Sequence, residues 1–279
     1  MKPHPYGGER MDRTLSVLLA VLAVFAVILL AVFFLTVYMG ITYRSTLAST
    51  YDYQVSITPD TKIGNVTLYI PIPGRSSGNS AVLEAMGEGG LTGVPAGWNI
   101  SFIGTEKFTM LEITAREIDP GCGCAPLTLS ASTRIRSPIG TREPATGDLV
   151  IDTFAGKAVV PCGDRVYDVP PDASCMAYRG KVYASGTAPG TSRLTISVTL
   201  TGKNSWDVFG PSSNEYRDGL HVTIPGAPRG WYEGEGTLVS GIGDYGLEPW
   251  VGWTGMTVAS AGGSGRQLRV TPVAGGQAA

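Results

Sequence analysis

Between Arg13 and Arg44 the chain carries no Asp, Glu, Lys, Arg or His, and within that gap Leu15 to Val37 is apolar apart from Ser16 and Thr36. At about 1.5 Å per residue, a helix of this length matches or slightly exceeds the ~30 Å hydrocarbon core of a bilayer. The segment predicts a membrane-spanning helix over 14–40, so that everything after it lies on one side of a membrane. Lys2, Arg10 and Arg13 precede it, whereas the residues just after it offer only Arg44. The positive-inside bias then makes 1–13 a cytoplasmic tail and places the chain after about Gly40 outside. Tyr38 and Tyr43 fall where an outer aromatic belt would lie. A cleavable signal peptide has an apolar core of roughly 7–15 residues, shorter than this one, so an uncleaved signal anchor is expected. No Cys ends the apolar run, as a lipoprotein would need. Met11-Asp12-Arg13 stands where a pilin-type leader would place its Gly or Ala cleavage site.

The span has no charge on which a proton or ion pathway could run. Ala20, Ala23, Ala26 and Ala31 would let a second helix approach, although no Gly-xxx-Gly pair is present. The expected partner of 14–40 is the lipid bilayer.

Setting aside the four basic and two acidic residues of positions 1–44 leaves 17 against 21 in the rest, a net charge of −4. That mild acidity makes nucleic acid a poor partner. The 38 Gly and 19 Pro, with abundant Thr, Ser and Val, favour short strands and turns over helices.

Strand signals follow a Thr/Ser-rich stretch, 41–50, that reads as an extended tether of about 33 Å. Tyr51, Tyr53, Val55 and Ile57 alternate with polar residues, the two-residue period of a half-buried strand. Val66 to Ile72, Trp98 to Phe102 and Leu111 to Ala115 repeat it, and the clearest cases are Leu127 to Ile135 and Leu194 to Leu200. One-faced alternation suits antiparallel sheets with one wet side, and a sandwich pairs two of them. The expected fold is all-β, an antiparallel β-sandwich-like ectodomain over 51–274 behind a single N-terminal transmembrane helix. It reads as one elaborated unit, the alternative being two subdomains divided near 137–180. Only Ala81 to Met86 looks helical, Ser137–Gly147 and Pro161–Ser174 read as excursions between strands, and 275–279 as a disordered tail.

Cys122, Cys124, Cys162 and Cys175 all follow the span, and an even count on an oxidising side reads as disulfides. A Cys122–Cys124 bond would close a strained ring. Either each of that pair reaches into the loop ending at Cys175, or Cys162 bonds Cys175 locally. A four-thiolate zinc site is the sharper alternative, but the spacing is not that of a zinc ribbon, and Cys-x-x-Cys redox spacing is absent. No metal or cofactor is expected.

Asn65-Val66-Thr67 and Asn99-Ile100-Ser101 are glycosylation sequons, and strand register points both asparagines away from the apolar face. Gly241 to Gly246 matches the dinucleotide-loop pattern by letter, yet Pro249 stands where the phosphate-binding helix should run; a glycine-rich turn is expected. His221, the one histidine after the span, falls on a polar strand face, and no Gly-x-Ser-x-Gly elbow or His-Glu-x-x-His helix accompanies it. From Gly226 to Gly265 twelve glycines surround Trp231, Tyr232, Trp250 and Trp253, rings able to stack on sugars. Glu233, Glu235, Asp244 and Glu248 lie among them. A glycosidase would need two such carboxylates facing each other about 5–9 Å apart.

Tyr51-Asp-Tyr-Gln-Val-Ser-Ile57, Asn65-Val-Thr-Leu-Tyr-Ile-Pro-Ile-Pro73, Gly93-Val-Pro-Ala-Gly-Trp-Asn99 and Met110-Leu-Glu-Ile-Thr-Ala115 resemble uncharacterised membrane-anchored surface proteins of archaea, methanogens in particular. The likeness covers about a quarter of the chain, Tyr51 to Ala115. It implies an exported, anchored β domain and transfers no functional residue. The low charge content argues against a halophile with a salt-filled cytoplasm. The expectation is therefore a non-enzymatic structural or recognition role at the cell envelope, with an envelope protein or glycan as partner. A surface carbohydrate-binding or glycoside-hydrolysing protein, and an accessory subunit of a membrane complex, are the alternatives.

Overall fold

The computed structural model describes residues 8–75, 80–104, 109–120, 126–152, 155–162, 170–171 and 173–247. A single long helix, α1 (Gly8–Thr46), leads into an antiparallel β domain. From Leu15 to Thr46 the helix is long and apolar enough to cross a membrane, and its apolar window packs against nothing else in the chain. The strands are β1 (Ala48–Pro59), β2 (Ile63–Pro71), β3 (Leu91–Thr92), β4 (Trp98–Gly104), β5 (Thr109–Ile118), β6 (Leu127–Ile135), β7 (Ala158–Val160), β8 (Ser174–Thr187), β9 (Arg193–Asp207), β10 (Pro211–Pro225) and β11 (Arg229–Gly243). A short helix, α2 (Ala81–Ala85), runs on into a π-type turn ending at Gly90. Ser80 caps it by accepting from the Leu83 amide at 3.1 Å.

One continuous sheet, in the order β3-β6-β1-β9-β10-β11-β8-β2-β5-β4, takes the place of two separate sheets. The long strand β8 gives one edge to β11 throughout, while β2 and β7 share its other edge. β1 and β2 stand far apart in that order, yet the Tyr53 hydroxyl donates to the Pro71 carbonyl at 3.0 Å. The sheet therefore curls over until its inner faces meet, as sandwich layers do. Alternation drives the closure: Tyr51, Tyr53, Val55 and Ile57 of β1 are fully buried, and so are Leu194, Ile196, Val198 and Leu200 of β9. All the long strands contribute to one apolar cluster, so the β domain is a single unit.

The segment 137–152 is no loose excursion. Ile139, Thr141, Leu149, Val150 and Ile151 are buried, and Val150 exchanges two backbone bonds with Gly74, each 3.0 Å. The segment plugs the end of the curled sheet next to α1, where inward positions are polar. Asn204 on β9 accepts from the Ile139 amide (2.9 Å) and donates to its carbonyl (2.8 Å), replacing a missing strand neighbour. Asn214 on β10 accepts from Asn204 and from Thr141, each at 2.9 Å, and Ser49 completes the cluster by donating to Asn204 at 2.8 Å. Such groups are tolerated in the interior because their bonding is met.

The extended tether expected over 41–50 is a correction. Helix α1 continues to Thr46, and only Leu47 separates it from β1. Packing prevails over the weak helix propensity of the Thr/Ser-rich stretch. Met39, Trp206 and Val208 form a small apolar cluster with Tyr43, Leu47 and Leu247 against it, and the Tyr43 and Trp206 rings lie 5.4 Å apart. The Asp207 amide donates to Thr46 Oγ1 at 3.0 Å. The β domain thus starts at Ala48 rather than 51, and its expected tail lies outside the described residues.

Cys162 and Cys175 form a disulfide, the local pairing of the two arrangements considered. Their sulfurs are thereby removed from any thiolate zinc site; Cys122 and Cys124 lie outside the described residues. The bridge closes a loop across a separation of 13 residues. Replacing both cysteines by serine is expected to cost about 3 kcal/mol in the chain-entropy account, read as a lower urea midpoint. An unchanged midpoint would show that the bridge staples nothing.

Candidate functional site

On the outer face of the sheet β2, β8 and β11 run side by side. There Tyr69, Tyr183 and Trp231 occupy one cross-strand row, since Tyr69 pairs with Tyr183 and Tyr183 with Trp231. Tyr69 and Tyr183 stack with centroids 4.9 Å apart, and the Trp231 ring meets Tyr183 edge-on at 5.5 Å. Cross-strand aromatic pairs stabilise sheets by themselves, yet 54% of Trp231 remains exposed. On the other side of Tyr69 the row continues through Glu112 to Ser101, whose hydroxyl donates to the Glu112 carboxylate. Partial burial, then Glu112 and Tyr183, push the Tyr69 hydroxyl pKa upward.

Below the rings the β8–β11 ribbon carries two cross-strand charged pairs, Lys181 with Glu233 and Arg179 with Glu235. Glu233 bridges Lys181 at 3.1 Å and Arg179 at 3.7 Å. A shallow hollow of about 460 Å³ follows, lined by Gly156, Ala177, Tyr178, Arg179, Glu235 and Gly236. Four residues of strand separate Trp231 from Glu235, roughly 13 Å. An aromatic patch thus opens onto a strip of hydrogen-bonding charge.

Of the rings predicted to stack on sugars, Trp231 faces outward. Its neighbour Tyr232 is on the opposite face and packs against the core, its hydroxyl accepting from the Arg229 amide at 2.9 Å. Successive residues of a strand cannot share a face. Trp250, Trp253 and Glu248 lie outside the described residues. Tyr69 and Tyr183 are the members that sequence reasoning missed, because only cross-strand register brings them to Trp231.

Glu233 and Asp244 do not converge. Eleven positions of a nearly continuous strand separate them, roughly 36 Å along the chain, far beyond a glycosidase pair. Asp244 instead organises a turn, accepting from the Gly246 amide at 2.8 Å. His221 is exposed, as its register required, with Nδ1 2.9 Å from Ser197 Oγ and Nε2 3.4 Å from Thr223 Oγ1. Glu235 pairs with it across β10–β11, but among the described residues no hydrogen bond joins them. Ser197, His221 and Glu235 share the outer face of β9, β10 and β11. Gly241 to Gly243 finish β11, and no helix follows them among the described residues. Asn65, at a positive φ of 48°, and Asn99, on β4, are exposed on the outer face that carries the rings. No group of side chains able to hold a metal ion occurs among the described residues.

One ionisable cluster lies in the interior. Asp218 on β10 is fully enclosed; its carboxylate accepts from the Tyr178 hydroxyl at 2.6 Å and from the Ile151 amide at 2.8 Å. Lys157 lies over the Tyr178 ring, 4.7 Å from its centroid, and burial lowers its pKa. This cluster ties the plug to the sheet, and Tyr178 also lines the hollow beside Arg179 and Glu235.

Comparison of the chain with protein-family models, curated proteins and solved structures gives no match. What the fold and the site define is a class: an all-β domain fused to one long apolar helix, with an exposed aromatic patch and no converging catalytic set among the described residues.

Proposed function

We propose that the chain is a single-pass envelope protein whose β domain, held outside the membrane by an uncleaved helix, recognises glycans without hydrolysing them. Its archaeal, surface-protein character belongs to the same reading. The observation that carries it is the exposed Trp231 ring grouped with Tyr69 and Tyr183 above the Lys181–Glu233 pair. Apolar sugar faces stack on aromatic rings while hydroxyls bond to charged neighbours. The disulfide supports an oxidising location. The direct junction of α1 and β1 supports retention of the helix, because cleavage after it would strip Met39 and Tyr43 from Trp206.

The test is titration of the full chain in lipid nanodiscs with soluble oligosaccharides, followed by calorimetry. Trp231→Ala is expected to weaken binding at least about tenfold, the loss of one anchoring aromatic contact. Thr58→Ala, on the outer face of β1 three strands from β11, should leave it unchanged. Equal binding by Trp231→Ala and the parent, or no binding by the parent, would defeat the glycan reading.

A further inference from the structure

The tip of the β9–β10 hairpin presents a large apolar side chain beside the emerging helix. Phe209 is 73% exposed and has a positive φ of 61°, a left-handed conformation in which a bulky L-residue is strained. The chain holds this conformation with local bonds: the Gly210 amide donates to Asp207 Oδ1 at 3.2 Å, and the Asp207 amide is fixed to Thr46. Val208 turns inward onto Met39 and Trp206. Phe209 turns out toward Tyr38 of α1, with the two ring centroids 6.2 Å apart.

The level of that contact matters. Leu15 to Val37 spans about 34 Å as a helix, which accounts for the ~30 Å hydrocarbon core, so Tyr38 is the first ring at its outer boundary. Thr46 stands eight residues farther along, about 12 Å higher. The hairpin therefore descends beside the last two helical turns, and its tip reaches the headgroup level where aromatic rings are favoured. Val208, Phe209, Gly210 and Pro211 contain no charge to oppose immersion.

We infer that the β9–β10 tip is a second membrane contact, with Phe209 inserted among the lipid headgroups beside Tyr38. This rests on the proposed anchoring by α1. It adds that the β domain sits on the bilayer surface at a fixed height. Lipid burial removes the exposed ring from water and offsets the strained backbone.

The test uses the full chain reconstituted in phosphatidylcholine vesicles, with the photoreactive p-benzoylphenylalanine placed singly at Leu22, Phe209 or Thr223. Lipid adducts are read by mass spectrometry. The expected yield at 209 approaches that at 22, and 223, on the outer sheet face, stays at background. Adducts at 22 without adducts at 209 would overturn the inference while leaving the anchor standing. No adduct at 22 would overturn the anchor and the inference with it. Cross-linking of 209 to a second protein chain in place of lipid would reassign the tip to a protein contact.

Discussion

Asp218→Ala is expected to destabilise the β domain by about 3–5 kcal/mol, because two buried donors lose a charged acceptor. Tyr178 Oη and the Ile151 amide lie 2.6 and 2.8 Å from the carboxylate oxygens of the buried Asp218. At roughly 2–4 °C per kcal/mol for a domain of this size, thermal unfolding should fall by about 6–20 °C. Exchange of the Ile151 amide should accelerate before global unfolding, since its segment is released first. The same carboxyl sets a pH dependence. Burial raises its pKa above the ordinary 3.8, opposed by the bonds from Tyr178 and Ile151 and by the charge of Lys157. The folded state then holds the proton more tightly than the unfolded one. Its contribution is fully present below the unfolded pKa and is lost as pH rises through the raised folded value. Asp218→Asn removes that titration, so the stability difference between parent and Asp218→Asn should shrink as pH climbs from acid toward neutral. A difference that stays flat or grows would contradict this account of Asp218.

Gly236→Val should cost about 3 kcal/mol or more, through overpacking and the loss of a hydrogen bond. Gly236 pairs with Tyr178 across β11–β8, and a Cβ there would lie 2.2 Å from the ring's Cζ. The ring cannot tilt away without withdrawing its hydroxyl from Asp218. In a Tyr178→Ala background the steric part vanishes, so the added cost of Gly236→Val should drop by well over half. Equal costs in the two backgrounds, measured by urea unfolding, would mean that ring and glycine do not share one space. Gly202 and Tyr216 repeat the device across β9–β10, again with 2.2 Å between a built Cβ and the ring.

These glycines explain which parts of the fold the sequence reveals. β1, β6 and β9 alternate cleanly because Tyr51 to Ile57, Leu127 to Ala131 and Leu194 to Leu200 place an apolar side chain at every inward position. β8, β10 and β11 conceal the period, since Gly180, Gly219, Gly234 and Gly236 stand at strand positions that a pattern reader scores as turns. Leu220 fills the space beside Gly180 and the Tyr178 ring that beside Gly236, each from another strand. The plug escapes notice for a related reason: Asn204 meets Ile139 across 65 residues and Asp218 meets Ile151 across 67, separations that no local pattern encodes. Trp231 is legible as an unusual ring in a glycine-rich stretch. Its companions are not, because grouping Tyr69 with Tyr183 requires the β2–β8 register.

The junction at Leu47 has a mechanical consequence. With α1 packed on Trp206 and Val208, and with a single residue between helix and first strand, no swivel exists between them. A turn of the helix about its long axis sweeps the ring patch through the same angle, as a spindle carries its pointer. Two copies that met along the Ala20 and Ala23 stripe would hold their patches at one set bearing, so a repeating polymer could engage both at once.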